Sequence, residues 1–542
     1  MIPRPLLLLA AASMAIHAAP RPNIVFILTD DQRKDSLPCY GDTFVKTPEI
    51  DKLAAEGVVF DNATVTSAIC TPSRACYFLG QYERRHSINF NSGTTMAPEA
   101  WEKSYPVLLR ESGYYTGYVG KNHVPIGSQG FESGIMEKSF DFWYAGHGHL
   151  SFYPKNVHEI FNNNPADTQV EVVTEGALSF LKNDGSYIDG ALSFLKSRPA
   201  DKPFCLSICL NVPHGAGTLS MKMLPTDPEL YRTGYRDEMD QIKFPSTYIA
   251  KADIETPKLP EDVLYTQYRQ DIYDNSDNDP DLRELMVREY ETITGIDQMI
   301  GHIRDSLKAS NLDDNTIIIV TSDHGLLHGD HGLGGKALNY AACLDVPLIV
   351  LDPRLPAARH GARISELVQS IDLAPTLLDL AVAPPADTMQ GESYLRLIHG
   401  EPAPDWRTFA FAENLWSTLF GNPRIETVRN SRWKYNRYFK NDHTPWENIA
   451  DEDKYKVSPD QANRYNDWLT STIRGEQPVY EELFDLESDP FENVNLASKT
   501  EHAEILEILR QECRRMVAVA KGPADQHPAT LPLPLPRNAK PR

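Results

Sequence analysis

Positive charge is the scarce ingredient of this chain. Its 542 residues carry 53 Lys and Arg against 75 Asp and Glu, a net charge of −22. Such a field repels a phosphate backbone and excludes a nucleic-acid partner. It also means that an anionic substrate has to be caught by a local cationic pocket. Long apolar runs are missing too: none reaches the roughly twenty residues that a membrane helix needs, so no transmembrane segment is expected. Cysteines number only seven, an odd count that leaves at least one outside any disulfide. Cys205 and Cys209 share one strand-like run and read as packed hydrophobes. No metal–thiolate site is expected.

What is present suffices for a substantial core, with 41% hydrophobic residues. The length allows one large α/β domain and a smaller one. Residues 1–19 read as a secretory signal, with Arg4 in the n-region, Leu6 to Ile16 as the apolar core and Ala18 or Ala19 for cleavage. The protein is therefore expected to be exported to a periplasm, a lumen or beyond, an uncleaved membrane anchor being the alternative. A catalytic domain over 20–400, an α+β subdomain over 401–522 and a disordered Pro-rich tail over 523–542 complete the expected organisation.

Continuous apolar runs at Asn23–Thr29, Phe204–Asn211, Thr316–Ser322 and Val346–Leu351 fit strands buried on both faces of a mostly parallel sheet. Tyr114–Val119 is a fifth candidate. Four of these runs deliver polar residues at once: Asp30-Asp31, Lys121 and His123, His214, and Asp323-His324, with Lys336 twelve residues further on. In open parallel sheets the carboxyl ends of the strands form the ligand edge, so these clusters should meet. Adjacent carboxylates leaving a buried strand read either as a cap or as ligands for a hard divalent cation. The stripe Met286, Tyr290, Ile293, Ile296, Ile300, Ile303 and Leu307 predicts a helix packed on the sheet.

In Cys70-Thr71-Pro72-Ser73-Arg74, Pro72 suits a first helical turn and Gly80 an end. Cys70 would lie at a helix N-terminus, where amides favour negative charge. A buried structural cysteine is the plain alternative.

C-x-P-S-R before a helix and a Gly resembles the signature of the type I sulfatases of the alkaline-phosphatase superfamily. The likeness continues through TDDQRKDSLPCYG, TPEIDKLAAEGVVFDNA, the P-H after the third strand and YEELFDLESDPFENVNLA near the end. At G-K-x-H this chain has Asn122 where that family usually has an aromatic. The resemblance implies a large mixed, mostly parallel sheet flanked by helices, with a smaller C-terminal α+β domain. It implies that a maturation enzyme oxidises Cys70 to formylglycine, whose hydrate is the nucleophile, leaving six cysteines. Asp30, Asp31, Asp323, His324 and the oxygen of residue 70 would surround one divalent cation, calcium rather than magnesium. Arg74, Lys121, His123, His214 and Lys336 would hold the sulfate or the hydrate, with His214 protonating the leaving oxygen. The His at 324 and the HGDHGLGGK loop resemble glycan-directed members, among them iduronate-2-sulfatase-like and polysaccharide sulfatases, so a sulfated glycan is the implied substrate.

Arg84, Arg85, His86, His147, His149 and Arg269 are candidate sugar contacts. The heptapeptide GALSFLK occurs at 176–182 and again at 190–196, a tandem duplication expected to lengthen a helix or its loop. DNSDNDPD (274–281) fails as a calcium loop, because the required Gly and Glu positions hold Leu282 and Arg288. Two other functions fit the same motifs: a phosphonate or phosphate ester hydrolase of the same superfamily, and a non-catalytic sulfated-glycan binder with Cys70 unconverted.

Overall fold

The structure is a computed structural model. It describes residues 21–89, 94–147, 171–172, 179–181, 187–214, 229–260, 263, 278–415, 423–440, 465, 467–523 and 530–532. The expected signal segment lies outside these residues, as do His149 and Arg269; the His147 side chain is likewise not described.

Eight strands build the central sheet: β1 (Asn23–Asp30), β2 (Val58–Phe60), β3 (Tyr115–Asn122), β4 (Phe142–His147), β5 (Phe204–Pro213), β6 (Thr316–Ser322), β7 (Leu348–Leu351) and β8 (Ala362–Ile364). Their order is β8-β2-β7-β6-β1-β5-β3-β4, and only β7 runs against its neighbours. The fold is therefore the mixed, mostly parallel sheet expected. β1 sits in the middle, Asn23 to Thr29 facing Thr316 to Ser322 of β6. On its other side Ile24 to Leu28 face Cys205 to Cys209 of β5. Its side chains alternate between two cores, with Ile24, Phe26 and Leu28 in one and Val25 and Ile27 in the other. That is why the run is apolar without a break.

The predicted helix is present as Asp279–Ala309, its stripe packed in the second core. Asn278, from the rejected calcium loop, caps it by accepting the Asp281 N–H at 3.2 Å. The two GALSFLK copies part company. The second forms a helix, Gly190–Ser197, while the first contributes Ser179–Leu181 to a small antiparallel sheet, so it does not lengthen that helix. Phe194 of the helical copy packs edge-on to Phe204 and stacks on Tyr115. Gly117 of β3 makes room for it, because a Cβ there would come within 2.5 Å of the Phe194 ring. The Pro-rich tail also departs from expectation: Thr530–Pro532 pairs as a strand with Thr94–Met96.

A four-stranded antiparallel sheet, Ala410–Asn414, Arg424–Arg429, Trp433–Phe439 and Tyr480–Asp485, packs with the helix Ala503–Lys521 on the short helix Glu83–His86. Here the sugar-contact reading of Arg84, Arg85 and His86 is corrected, since all three are buried. The Arg84 guanidinium binds Glu413 Oε2 at 2.9 Å and Glu426 Oε1 at 2.6 Å. The His86 ring meets Cys76 Sγ at 3.3 Å and accepts the Ile88 N–H, and burial lowers its pKa to about 3. These basic side chains neutralise and fill an interior contact rather than face solvent.

Beside them Glu83 accepts hydrogen bonds from Ser67, Asn89 and Tyr465, yet burial and the nearby Glu413 push it up to about 8. A carboxyl raised in the folded state stabilises below its unfolded pKa, and that contribution is lost as pH climbs through the folded value. Urea midpoints of the wild type should therefore fall between about pH 4.5 and 8. Glu83→Gln should flatten that decline, and an unchanged slope would show that Glu83 stays ionised.

Candidate active site

The parallel register places the polar residues at one edge. Asp30 ends β1, Lys121 lies near the end of β3, His214 follows β5, and Asp323 follows β6. The helix Cys70–Leu79 starts above them, with all ten residues buried and Gly80 closing it at φ 61°. Its N-terminus brings Cys70 Sγ to 3.2 Å from Lys336 Nζ, 3.4 Å from His324 Nε2 and 3.6 Å from Asp30 Oδ1.

Cations hold the acidic groups. Lys336 Nζ donates to both Asp31 oxygens at 2.8 and 3.1 Å, His214 Nδ1 bonds Asp31 Oδ2, and Lys121 Nζ bonds Asp30 Oδ2. Arg74 reaches Asp30 Oδ2 at 3.1 Å through Nη2 and Asp323 Oδ2 at 2.9 Å through Nε. Its remaining contacts are the Lys121 and Leu210 carbonyls. Arg74 was expected to hold the sulfate or the hydrate. At 1% exposure, with every guanidinium nitrogen engaged, it instead clamps the carboxylates from behind.

Burial works against every one of these charges, and their partners decide the outcome. Lys121 and Arg74 hold Asp30 well below the carboxylate range despite its burial. Against the same desolvation, His214 and Lys336 hold Asp31 low. Burial prevails at His214, whose pKa is lowered even though Asp31 opposes it. At His324 the carboxylates of Asp323 and Asp31 overcome burial and raise the ring to about 9. Asp30 and Asp31 are thus held ionised by fixed cations.

Asp30, Asp31, Cys70 and His324 each offer one donor atom, all within 4.8 Å of one another. Atoms about 2.4 Å from a shared calcium ion lie at most roughly 5 Å apart, so the set fits a divalent cation. The Cys70 thiol stands where an oxidised residue would present oxygen. Asp323 lies at the rim: its Oδ1 accepts the Asp31 N–H at 3.2 Å and is 3.6 Å from His324 Nε2. His123 stands in the loop after β3, buried, its ring stacked against Phe131 at 6.4 Å. The departure at Asn122 has a local use, since its side chain accepts the Val124 N–H and turns the chain after β3.

Sequence reasoning missed two serines. Ser73 Oγ donates to the Asp323 carbonyl at 2.5 Å, and Ser322 Oγ accepts the Gln32 N–H at 3.1 Å. Ser73 was in plain view inside the pentapeptide. Nothing in the pattern marked Ser322, which closes an apolar strand.

A family model described as Sulfatase matches residues 22–383. The chain belongs to the sulfatase family. It is a sulfuric ester hydrolase. A second model, N-sulphoglucosamine sulphohydrolase C-terminal, matches residues 329–476 of this sulfatase. It is 26% identical to an N-acetylglucosamine-6-O-sulfatase of Bacteroides thetaiotaomicron, over 93% of this chain and 90% of the relative. Human N-sulphoglucosamine sulphohydrolase is 27% identical over 92% and 89% of the two chains. Among solved structures, a protein in complex with its substrate D-glucosamine-2-N,6-O-disulfate matches with a TM-score of 0.62 at 22% identity, over 94% of this chain and all of that one. A phosphonate monoester hydrolase of Agrobacterium radiobacter matches with 0.64 at 19%, over 92% and 96%. At those identities the two structures establish the fold.

Arg74→Met strips Asp30 and Asp323 of their shared partner inside the protein. Breaking a buried pair on one side costs about 3–5 kcal/mol, which urea unfolding should report. Arg74→Lys should recover only part of the loss, because an ammonium cannot span both carboxylates.

Proposed function

We propose that this sulfatase is exported and removes sulfate from a sulfated carbohydrate of the glycosaminoglycan type, with residue 70 matured to formylglycine and one calcium ion held among Asp30, Asp31, residue 70 and His324, Asp323 at their rim. The observation that carries this reading is the convergence on Cys70 Sγ of Lys336, His324 and Asp30 within 3.6 Å. The relatives named N-acetylglucosamine-6-O-sulfatase and N-sulphoglucosamine sulphohydrolase support a sugar substrate. Carboxylate-rich, irregular donor sets suit calcium better than magnesium, which demands a near-ideal octahedron.

When present, the hydrate and the ion supply an oxygen nucleophile for sulfur and a Lewis acid beside it. The chain's own residues do the rest. Lys121 and Lys336 place positive charge where the sulfuryl oxygens gather negative charge. His214 is tied to Asp31 through Nδ1, which fixes its ring, so a proton for the leaving oxygen has to come from Nε2. His123, in the loop after β3, is assigned to assist release of sulfate. Arg74 pairs with Asp30 and Asp323 and holds both carboxylates in place.

Protein produced alongside a formylglycine-generating enzyme should release sulfate from glucosamine 6-sulfate, N-sulphoglucosamine or an iduronate 2-sulfate disaccharide, and leave phenylphosphonate and aryl phosphates largely untouched. Faster phosphonate cleavage would favour the ester-hydrolase alternative. A peptide mass showing residue 70 still a thiol would favour the glycan binder. Cys70→Ser should lose multiple turnover by about a thousandfold or more, given the scale of nucleophile deletions. Chelation should abolish activity, and calcium at a hundred times its Kd should restore it and stabilise the fold by about 2.7 kcal/mol.

A further inference from the structure

Lys336 reaches residue 70 from the end of a β-hairpin. Leu327–His328 pairs antiparallel with Gly334–Gly335, and Lys336 follows directly. The tip is a tight turn, with positive φ at Gly329, His331 and Gly332 and the Leu333 N–H bonded to the Asp330 carbonyl at 2.9 Å. Where this hairpin sits decides where the Lys336 ammonium sits.

Asp330, at the tip, is 5% exposed, and both of its carboxylate oxygens are engaged. Oδ2 accepts Arg33 Nη1 at 2.7 Å and the His328 N–H at 2.9 Å, and Oδ1 accepts Thr247 Oγ1 at 2.8 Å. Arg33 Nη1 also binds the Leu326 carbonyl at the hairpin's start, at 2.9 Å. The other side of the guanidinium is fixed by Asp35 at 2.8 Å twice. Arg33 lies two residues beyond Asp31, whose carboxylate holds Lys336 itself. One short piece of chain therefore grips the hairpin twice, at its base through Asp31 and at its tip through Arg33. A third element joins: the His331 N–H bonds the Thr247 carbonyl at 2.7 Å, and the Ile249 N–H bonds the Gly329 carbonyl at 3.0 Å.

We propose that the Arg33–Asp330 pair is a positioning device for the reaction, setting the hairpin so that Lys336 meets both Asp31 and residue 70, with Thr247 tying the segment 242–254 to the same register. The inference rests on the reading of Lys336 as a sulfate-holding side chain. A misplacement of about 1 Å at a reacting centre can cost a hundredfold in rate, so a hairpin held at one end only is a functional defect even when the fold survives.

The test is a double-mutant cycle between Asp330→Asn and Lys336→Ala in the matured, calcium-loaded protein, read by calorimetric binding of inorganic sulfate and by kcat on 4-nitrophenyl sulfate. Residues that act through one another show non-additive effects. Asp330→Asn alone should weaken sulfate binding about tenfold and lower kcat about thirty- to hundredfold, while in the Lys336→Ala background it should change either by less than threefold. Thr247→Val, which keeps side-chain volume, should give a milder loss of about three- to tenfold in kcat and no further loss in the Lys336→Ala background. Arg33→Lys should retain more activity than Arg33→Gln. Equal losses with and without Lys336, or full activity in Asp330→Asn, would overturn the proposal. Lys336→Ala leaving sulfate binding intact would instead strike at the reading of the site, and with it the reason for positioning that lysine.

Discussion

Three carboxylates are buried at the ends of two neighbouring parallel strands, and much of the structure answers to them. Asp30, Asp31 and Asp323 are all at 1% exposure or less. Desolvated charge of that density is tolerable only with fixed countercharge. The helix Cys70–Leu79 supplies Arg74, β3 supplies Lys121, and the hairpin after β6 supplies Lys336. Each comes from a different stretch of chain, so neutralising the acids also assembles the site. The helix Cys70–Leu79 cannot shift without unpairing Asp30 and Asp323 through Arg74.

The same arrangement serves chemistry. On the proposed mechanism, cations held by buried carboxylates are oriented before substrate arrives and need little reorganisation when charge develops at sulfur. The chain bears a net charge of −22, and on the proposed function Lys121 and Lys336 are the cations at this edge that meet an anionic ester. The C-terminal sheet packs against the far end of the helix Cys70–Leu79, around Cys76 and Tyr82. Its buried Arg84–Glu413–Glu426 contact is a second place where buried carboxylates are held by an arginine.

Much of this was legible in the chain. Thr316–Ser322 has the predicted bounds, and Asn23–Thr29 gains only Asp30, because continuous apolar runs mark strands covered on both faces. Residues following those strands had to share an edge once the sheet was parallel. The misreadings have physical causes. Arg84 looks like a surface residue in a linear pattern, since nothing local announces the acidic partners more than three hundred residues away. Arg74 was placed against the substrate because motif spacing does not say which way a guanidinium turns. Thr530–Pro532 belongs to a segment whose composition suggests disorder, and it is ordered by a partner strand.

By itself, the sequence determined the parallel core, the helix that begins at Cys70 and the short list of polar residues delivered to one edge, because periodicity and strand ends are local properties. Only the tertiary structure decided which side chains touch. Identical GALSFLK copies part at Ser179–Leu181, in a strand, and Gly190–Ser197, a helix. Intrinsic propensity is weak, and the surface that Phe194 finds beside Tyr115 and Phe204 outweighs it. Likewise Arg33 and Asp330 are unremarkable letters until folding buries them 2.7 Å apart, since the energy of a charge depends on the medium and the partners that surround it.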